Sequence, residues 1–332
     1  MVTKVNGSTK RVGLSPTMHN GFYGRDILSV KQFAREDLDY IFGVAEEMEA
    51  IVRRVGATDL LKGSILANLF YEPSTRTSSS FAAAMQRLGG SVIPINEVRY
   101  SSVTKGESLP DTIRTLEAYA DLVVLRHPEV GASQTAARYS RKPIINAGDG
   151  VGEHPTQALL DIYTIQREKG RLEGLNVALV GDMNMRVMHS LPLGLAQFQC
   201  KVHIISPSDQ SMPQHWLDEY KRVGLDYEEH TGIEDVLPKL DVIYLMGTKT
   251  PSFSEGRVEA GQKRESTPSA YIIDRDKLSR AKSDIILLHP LPRADELSKD
   301  VDSIASARYF VQAHYGVAVR MALLSLIMGC TL

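Results

Sequence analysis

The sequence predicts an α/β fold of two parallel-sheet α/β domains joined by interdomain helices, on three observations. Short apolar runs of strand length alternate with segments rich in helix formers. That alternation closes at Gly170 and starts afresh at Leu175, so each half carries its own strands. Finally, 332 residues are more than one hydrophobic core usually holds.

In chain order, residues 29–53 read as a helix capped by Ser29, with Phe33, Leu38, Ile41, Phe42, Ala45 and Met48 as its apolar stripe. Residues 65–71 form an apolar strand. Residues 81–88 are helix formers stopped by Gly89 and Gly90, and 91–95 resume the sheet. A polar loop at 96–107 holds Arg99, Ser101, Ser102 and Lys105. Residues 109–119 read as helix, 121–127 and 142–146 as strands, and 147–152 as a turn. A helix then spans 155–169, with Pro155 in the first turn, where proline is tolerated. In the second half, strands are expected at 175–182, 201–207, 240–246 and 284–290. Helices are expected at 187–198, 213–223 and 315–328. Residues 247–269 are rich in Gly, Ser, Thr, Pro and charge, and a loop of that length is usually functional or mobile.

Composition bounds the function. The chain is 43% apolar and 23% charged, with a net charge of −2, which argues against a general nucleic-acid binder. No apolar run approaches the ~20 residues of a membrane span. The two cysteines, Cys200 and Cys330, are far apart and suit a reducing compartment, so a cytoplasmic location is expected. Residues 1–11 are polar without an apolar signal core and read as a loose tail. The nicotinamide class is rejected: Val180-Gly-Asp182 lacks the later glycines of a dinucleotide fingerprint.

The chemistry begins at Ser74-Thr-Arg-Thr77, where a strand ends and a helix begins. Helix N-termini offer unpaired N–H groups and partial positive charge, so they bind phosphate. Hydroxyls and a guanidinium add donors suited to phosphate oxygens. An ordinary helix cap built from the same residues is the competing reading.

Five segments stand in order: Glu72-Pro-Ser-Thr-Arg-Thr77, Lys105-Gly-Glu-Ser108, Arg126-His-Pro128, His154-Pro-Thr-Gln157 and His289-Pro-Leu-Pro-Arg293. Together they resemble the carbamoyltransferases, and within them the catalytic chains of the aspartate type, from about Leu28 to Gly329. The resemblance implies transfer of a carbamoyl group from carbamoyl phosphate to an amine, with no metal or organic cofactor. It implies a carbamoyl-phosphate domain at 1–155, an amino-acid (acceptor) domain at 156–312, and a closing helix at 313–332 packing back on the first domain. It also implies a homotrimer with shared active sites.

Site residues carry over from the same resemblance. Ser74, Thr75, Arg76 and Thr77 match the phosphate cradle. Arg126, His154 and Gln157 match groups around the carbamoyl moiety, with backbone carbonyls near Pro290 and Leu291. Ser101 and Lys105 match the pair inserted into a neighbouring subunit's site. Arg76, Arg126, His154 and Lys105 form the catalytic set. Arg126, Arg186, Lys249, Leu291 and Pro292 are expected at the acceptor. Glu72 is expected to orient arginines, Arg320 to make an ion pair linking domains, and His127, His189 and His289 to be structural.

Two departures concern the acceptor half. Gly181-Asp182 is followed by Met-Asn-Met-Arg-Val-Met-His-Ser190, one residue shorter than the family's run, with Arg186 retained. The family's Thr-Arg-x-Gln motif, whose arginine grips aspartate's side-chain carboxylate, falls on Leu245-Met-Gly-Thr-Lys-Thr250. There Gly247 stands for the arginine and Lys249 for the glutamine. Three readings stay open: aspartate gripped by Lys249 or another cation of residues 247–264, a different amine acceptor, or a non-catalytic homologue. The altered motif leans towards a different acceptor.

Overall fold

The computed structural model describes residues 21–96, 106–248 and 266–330. The first half builds a four-stranded parallel sheet in the order β2-β1-β3-β4, from β1 (Ile65–Phe70), β2 (Ser91–Asn96), β3 (Leu122–His127) and β4 (Ile144–Asp149). Its helices are α1 (Arg35–Arg54), α2 (Thr75–Arg87), α3 (Leu109–Leu116), α4 (Ala132–Tyr139) and α5 (Pro155–Lys169). The second half builds a five-stranded parallel sheet in the order β7-β6-β5-β8-β9. Its strands are β5 (Asn176–Val180), β6 (Lys201–Ile205), β7 (Asp226–His230), β8 (Val242–Leu245) and β9 (Ile286–Leu288), and its helices α6 (Arg186–Leu195), α7 (Gln214–Arg222) and α8 (Arg275–Leu278). Helix α9 (Tyr309–Ile327) closes the described chain and packs against α1, α2 and α5.

The central strands β1, β3, β4, β5 and β8 are almost wholly buried, as continuous apolar runs covered by helices on both faces must be. Each sheet reverses its strand order once. In the first, β1 is followed outward by β2, and the chain then returns to place β3 on the other side of β1. In the second, β5 is followed by β6 and β7, then β8 returns to its other side. The crevices beyond the carboxyl ends of β1/β3 and β5/β8 are therefore the places where such sheets bind ligands.

Several elements differ from the sequence reading. Ser29 caps only a short 3-10 turn (Val30–Gln32); Phe33 is extended, and α1 starts at Arg35, where Asp37 accepts from the Ala34 N–H. Strand β4 runs on through residues read as a turn, since its register with β3 shifts and carries it to Asp149. Helix α4 and strand β7 were not anticipated; β7 is an edge strand of mostly exposed polar residues with no apolar signature. Helix α9 begins at Tyr309, six residues earlier than expected. Its 19 residues have the length and hydropathy of a membrane span, contrary to the sequence reading, and its burial among α1, α2 and α5 accounts for its apolar faces.

Gly181 marks the close approach of β5 and β8. Its φ is +123°, and a β-carbon there would lie 1.9 Å from the Met246 carbonyl oxygen. Gly170, the left-handed C-cap of α5, has open space around it. Gly181→Ala is expected to destabilise by about 3 kcal/mol or more, and Gly170→Ala by only about 1 kcal/mol. Urea unfolding midpoints that fall equally for the two would refute the close-approach account.

Candidate functional site

Ser74 occupies the N-cap position of α2 with extended backbone, yet its side chain makes no cap hydrogen bond. Its hydroxyl instead accepts from Arg126 Nη1 at 3.0 Å, across the β1/β3 crevice. The Ser74 side chain therefore does not act as an ordinary cap, and it leaves the first-turn N–H groups of α2 without a hydrogen bond from it. Thr75 and Arg76 are exposed there, and Thr77 is buried.

Arg126, at the end of β3, donates Nε to Glu72 Oε2 at 3.2 Å. Arg186, at the start of α6 and 2% exposed, donates Nη2 to the same oxygen at 3.2 Å and Nη1 to the Gly150 carbonyl at 2.8 Å. Glu72 thus orients both arginines, as expected, and ties the β1/β3 crevice to the helix that follows β5. Gly148 makes room: a β-carbon there would lie 2.9 Å from the Arg186 guanidinium. Burial, then the neighbouring Arg126 charge, pulls Arg186 down to about 10. Partial desolvation and the same neighbour lower Arg76. Arg126 and Arg186 share the Glu72 carboxylate, and Arg76 adds its charge beside Arg126, so the crevice carries the positive charge that binding an anion requires.

His154 is the residue before α5 and is buried, with its N–H donating to Ser190 Oγ at 2.9 Å. Its Nδ1 has no hydrogen-bond partner among the described residues. Burial, followed by the charges of Arg126, Arg186 and Arg320, depresses its pKa well below the ordinary histidine value, so the ring is neutral near pH 7. Gln157, one turn on, donates Nε2 to Asp161 Oδ1 at 2.8 Å, which leaves its carbonyl oxygen to accept.

Asp161 was missed by sequence reading. It accepts from Gln157 and from Gln312 Nε2 at 2.6 Å, and burial raises its pKa to about 7. Gln312 also accepts from the His289 N–H at 2.9 Å, linking α5 to the end of β9. The signal available was one acidic residue in an otherwise buried helical stretch, four residues after Gln157.

His289 sets the turn that presents the Pro290 and Leu291 carbonyls. Its Nδ1 accepts from the Leu291 N–H at 2.8 Å, so Nε2 carries the proton and donates to Glu296 Oε1 at 3.1 Å. Leu291 has φ +58°, a left-handed conformation that costs a non-glycine residue roughly 1–2 kcal/mol. The His127, His189 and His289 rings all make structural contacts: His127 Nδ1 accepts from the Glu129 N–H, and His189 bonds the Val151 and Met183 carbonyls. Arg320 is not the expected ion pair. It donates to Ser80 Oγ at 3.1 Å and Gly316 O at 3.2 Å and stacks over Phe81, with Asp161 as a more distant charge partner. Arg293 pairs with Asp302 through both nitrogens.

Ser101, Lys105 and Lys249 lie outside the described residues, as do residues 1–20 and most of the 247–269 stretch. The two ends of that stretch are described. Thr248 Oγ1 donates to Thr267 Oγ1 at 3.2 Å, and Thr267 is held by Asp295 through its N–H at 2.7 Å and hydroxyl at 2.8 Å. Pro292 is exposed beyond Leu291. A separate cleft of about 520 Å³ opens at the ends of β6 and β7, lined by Ser206, Ser208, Glu229 and Thr231, and contains none of the expected site residues.

The chain belongs to the aspartate/ornithine carbamoyltransferase family: the family's carbamoyl-phosphate-binding domain matches residues 25–167 and its aspartate/ornithine-binding domain residues 173–327. Similar proteins include aspartate carbamoyltransferases. The catalytic subunit from Methanopyrus kandleri is 47% identical over 93% of this chain and 99% of that protein. The multifunctional protein pyr1-3 of Dictyostelium discoideum is 49% identical, and the match spans 93% of this chain but 14% of that much longer protein. Aspartate transcarbamoylase from Trypanosoma cruzi in complex with carbamoyl aspartate and phosphate superposes with a TM-score of 0.84 at 38% identity, over 92% of this chain and 97% of that one.

Removing a shared carboxylate leaves buried guanidiniums undercompensated. Glu72→Gln is expected to destabilise the protein by about 3 kcal/mol in urea melts and to lower turnover as Arg126 and Arg186 lose their common anchor. A variant within 0.5 kcal/mol of wild type, a range ordinary for surface substitutions, would count against this arrangement.

Proposed function

We propose that this carbamoyltransferase moves the carbamoyl group of carbamoyl phosphate to the amine of aspartate and releases phosphate. The observation that carries the reading is the positive crevice at the start of α2, where Arg126 holds Ser74 and neutral His154 stands alongside. The altered motif at Gly247 and Lys249 leaned towards another acceptor; similarity to aspartate carbamoyltransferases over nearly the whole chain weighs for aspartate.

In this reading the α2 N–H groups, Ser74, Thr75, Arg76 and Thr77 bind the phosphate dianion. Arg126 and His154 donate to the carbamoyl oxygen, and Gln157 and the Pro290 and Leu291 carbonyls accept from its amide. The acceptor amine attacks the carbamoyl carbon, and the oxygen gains charge in the tetrahedral intermediate. The C–O bond to phosphate then breaks, and the departing phosphate takes the amine's proton. Arg186, steadied by Glu72 and Gly150, offers charge for an acceptor carboxylate, and Lys249 with the Leu291–Pro292 turn completes the acceptor side. Preorganised donors of this kind contribute a few kcal/mol because they need no reorganisation. Ser101 and Lys105 are assigned to a neighbouring subunit's site in a homotrimer, on the strength of their sequence match. The free thiols Cys200 and Cys330 fit a cytoplasmic setting.

Arg76→Ala is expected to abolish carbamoyl-phosphate binding and turnover. His154→Ala is expected to lower kcat by roughly 10²- to 10³-fold with little change in ground-state binding. Because the His154 ring is already neutral, the kcat profile between pH 6 and 8 should keep its shape in that variant. Equal losses in binding and rate would show that His154 does not act on the transition state. Shared sites predict that mixing inactive Lys105→Ala and Arg76→Ala chains restores part of the activity; verified mixed oligomers without rescue would remove the shared-site assignment. Assay of wild type with aspartate and a panel of other amines decides the acceptor.

A further inference from the structure

At the outer edge of the second sheet, away from the arginine crevice, β6 and β7 place two histidines and a glutamate on one face. His203 and Glu228 are direct cross-strand partners, and His230 follows Glu228 by two residues, on the same side of the strand. The facing atoms are His203 Nδ1, His230 Nε2 and Glu228 Oε2. The two nitrogens are 3.1 Å apart, and the carboxylate oxygen is 3.8 Å from the first and 3.7 Å from the second. The centre of such a triangle is about 2.1 Å from every corner, which is the bond length zinc takes to imidazole and carboxylate.

The groups behind these atoms hold them in ligand form. His203 Nε2 faces Asn176 Oδ1 at 3.2 Å. An amide oxygen only accepts, so Nε2 carries the proton and Nδ1 presents its lone pair to the centre. This is the partner arrangement that fixes ring orientation and tautomer in histidine metal sites. Glu228 gives its other oxygen, Oε1, to Lys201 Nζ at 2.6 Å, which orients Oε2 inward and leaves the carboxylate charged. His203 is buried, His230 half-buried and Glu228 exposed, so the ion has access from solvent and a fourth position for water. Lys201 and Lys239 are the nearby cations that oppose a metal charge.

We propose that His203, Glu228 and His230 form a binding site for one zinc-like divalent ion per chain, which clips the edge strand β7 to β6. Two nitrogens and one carboxylate favour a borderline metal over calcium or magnesium, which prefer all-oxygen shells. An ordinary hydrogen bond between the two rings, with a surface Lys201–Glu228 pair, is the alternative.

The test uses the full-length, metal-stripped chain and zinc alone. Equilibrium dialysis is expected to give one zinc per chain, and cobalt(II) should develop the visible absorption of a tetrahedral site. Glu228→Gln and His230→Ala, both at accessible positions, should weaken zinc binding at least tenfold and abolish the cobalt spectrum; exposed His314→Ala should change neither. Zinc should also raise the melting temperature of wild type and of His314→Ala alone, since a ligand that binds only the folded state stabilises it. Absence of one-to-one binding, or binding unchanged in Glu228→Gln and His230→Ala, would overturn the proposal.

Discussion

One carboxylate oxygen, Glu72 Oε2, accepts from two arginines of different halves, Arg126 at the end of β3 and Arg186 at the start of α6. Coulomb repulsion would otherwise drive Arg126 and Arg186 apart, and neither can shed its proton. Glu72 makes their proximity tolerable, and with it the joining of the β1/β3 crevice to the start of α6. Ser74 is drawn off the end of α2 by Arg126, and Gly148 is required by the bulk of Arg186. His154 is neutral partly because these charges surround it. The geometry of the site thus follows from how few negative charges are allowed into it.

Much of the fold was legible because buried parallel strands announce themselves as unbroken apolar runs. Residues 177–180 and Val242–Leu245 are of that kind, and Gly170 ended α5 where its left-handed conformation requires. Where the polar pattern failed, so did the reading. Strand β7 pairs with β6 through polar residues that carry no apolar signature, and the start of α9 is set within the second half, where Tyr309 packs into its core and the Arg308 N–H donates to the Leu287 carbonyl.

The site divides in the same way. Ser74, Arg76, Arg126 and His154 stood out because each ends a strand or opens a helix, where backbone donors and strand order converge. Asp161 and Gln312 were missed, since their roles arise from a tertiary meeting of α5, α9 and the end of β9. Arg320 was misjudged for the complementary reason: a buried cation suggests a carboxylate, and here a serine hydroxyl, a carbonyl and an aromatic face take that place.

The Thr248–Thr267–Asp295 clasp bears on how this protein can change over evolutionary time. Once two points of a chain are tied, lengthening what runs between them is cheap: a doubling adds only about 0.6 kcal/mol of closure entropy. The residues between the two threonines can therefore vary in number at little cost to the described fold that carries the clasp.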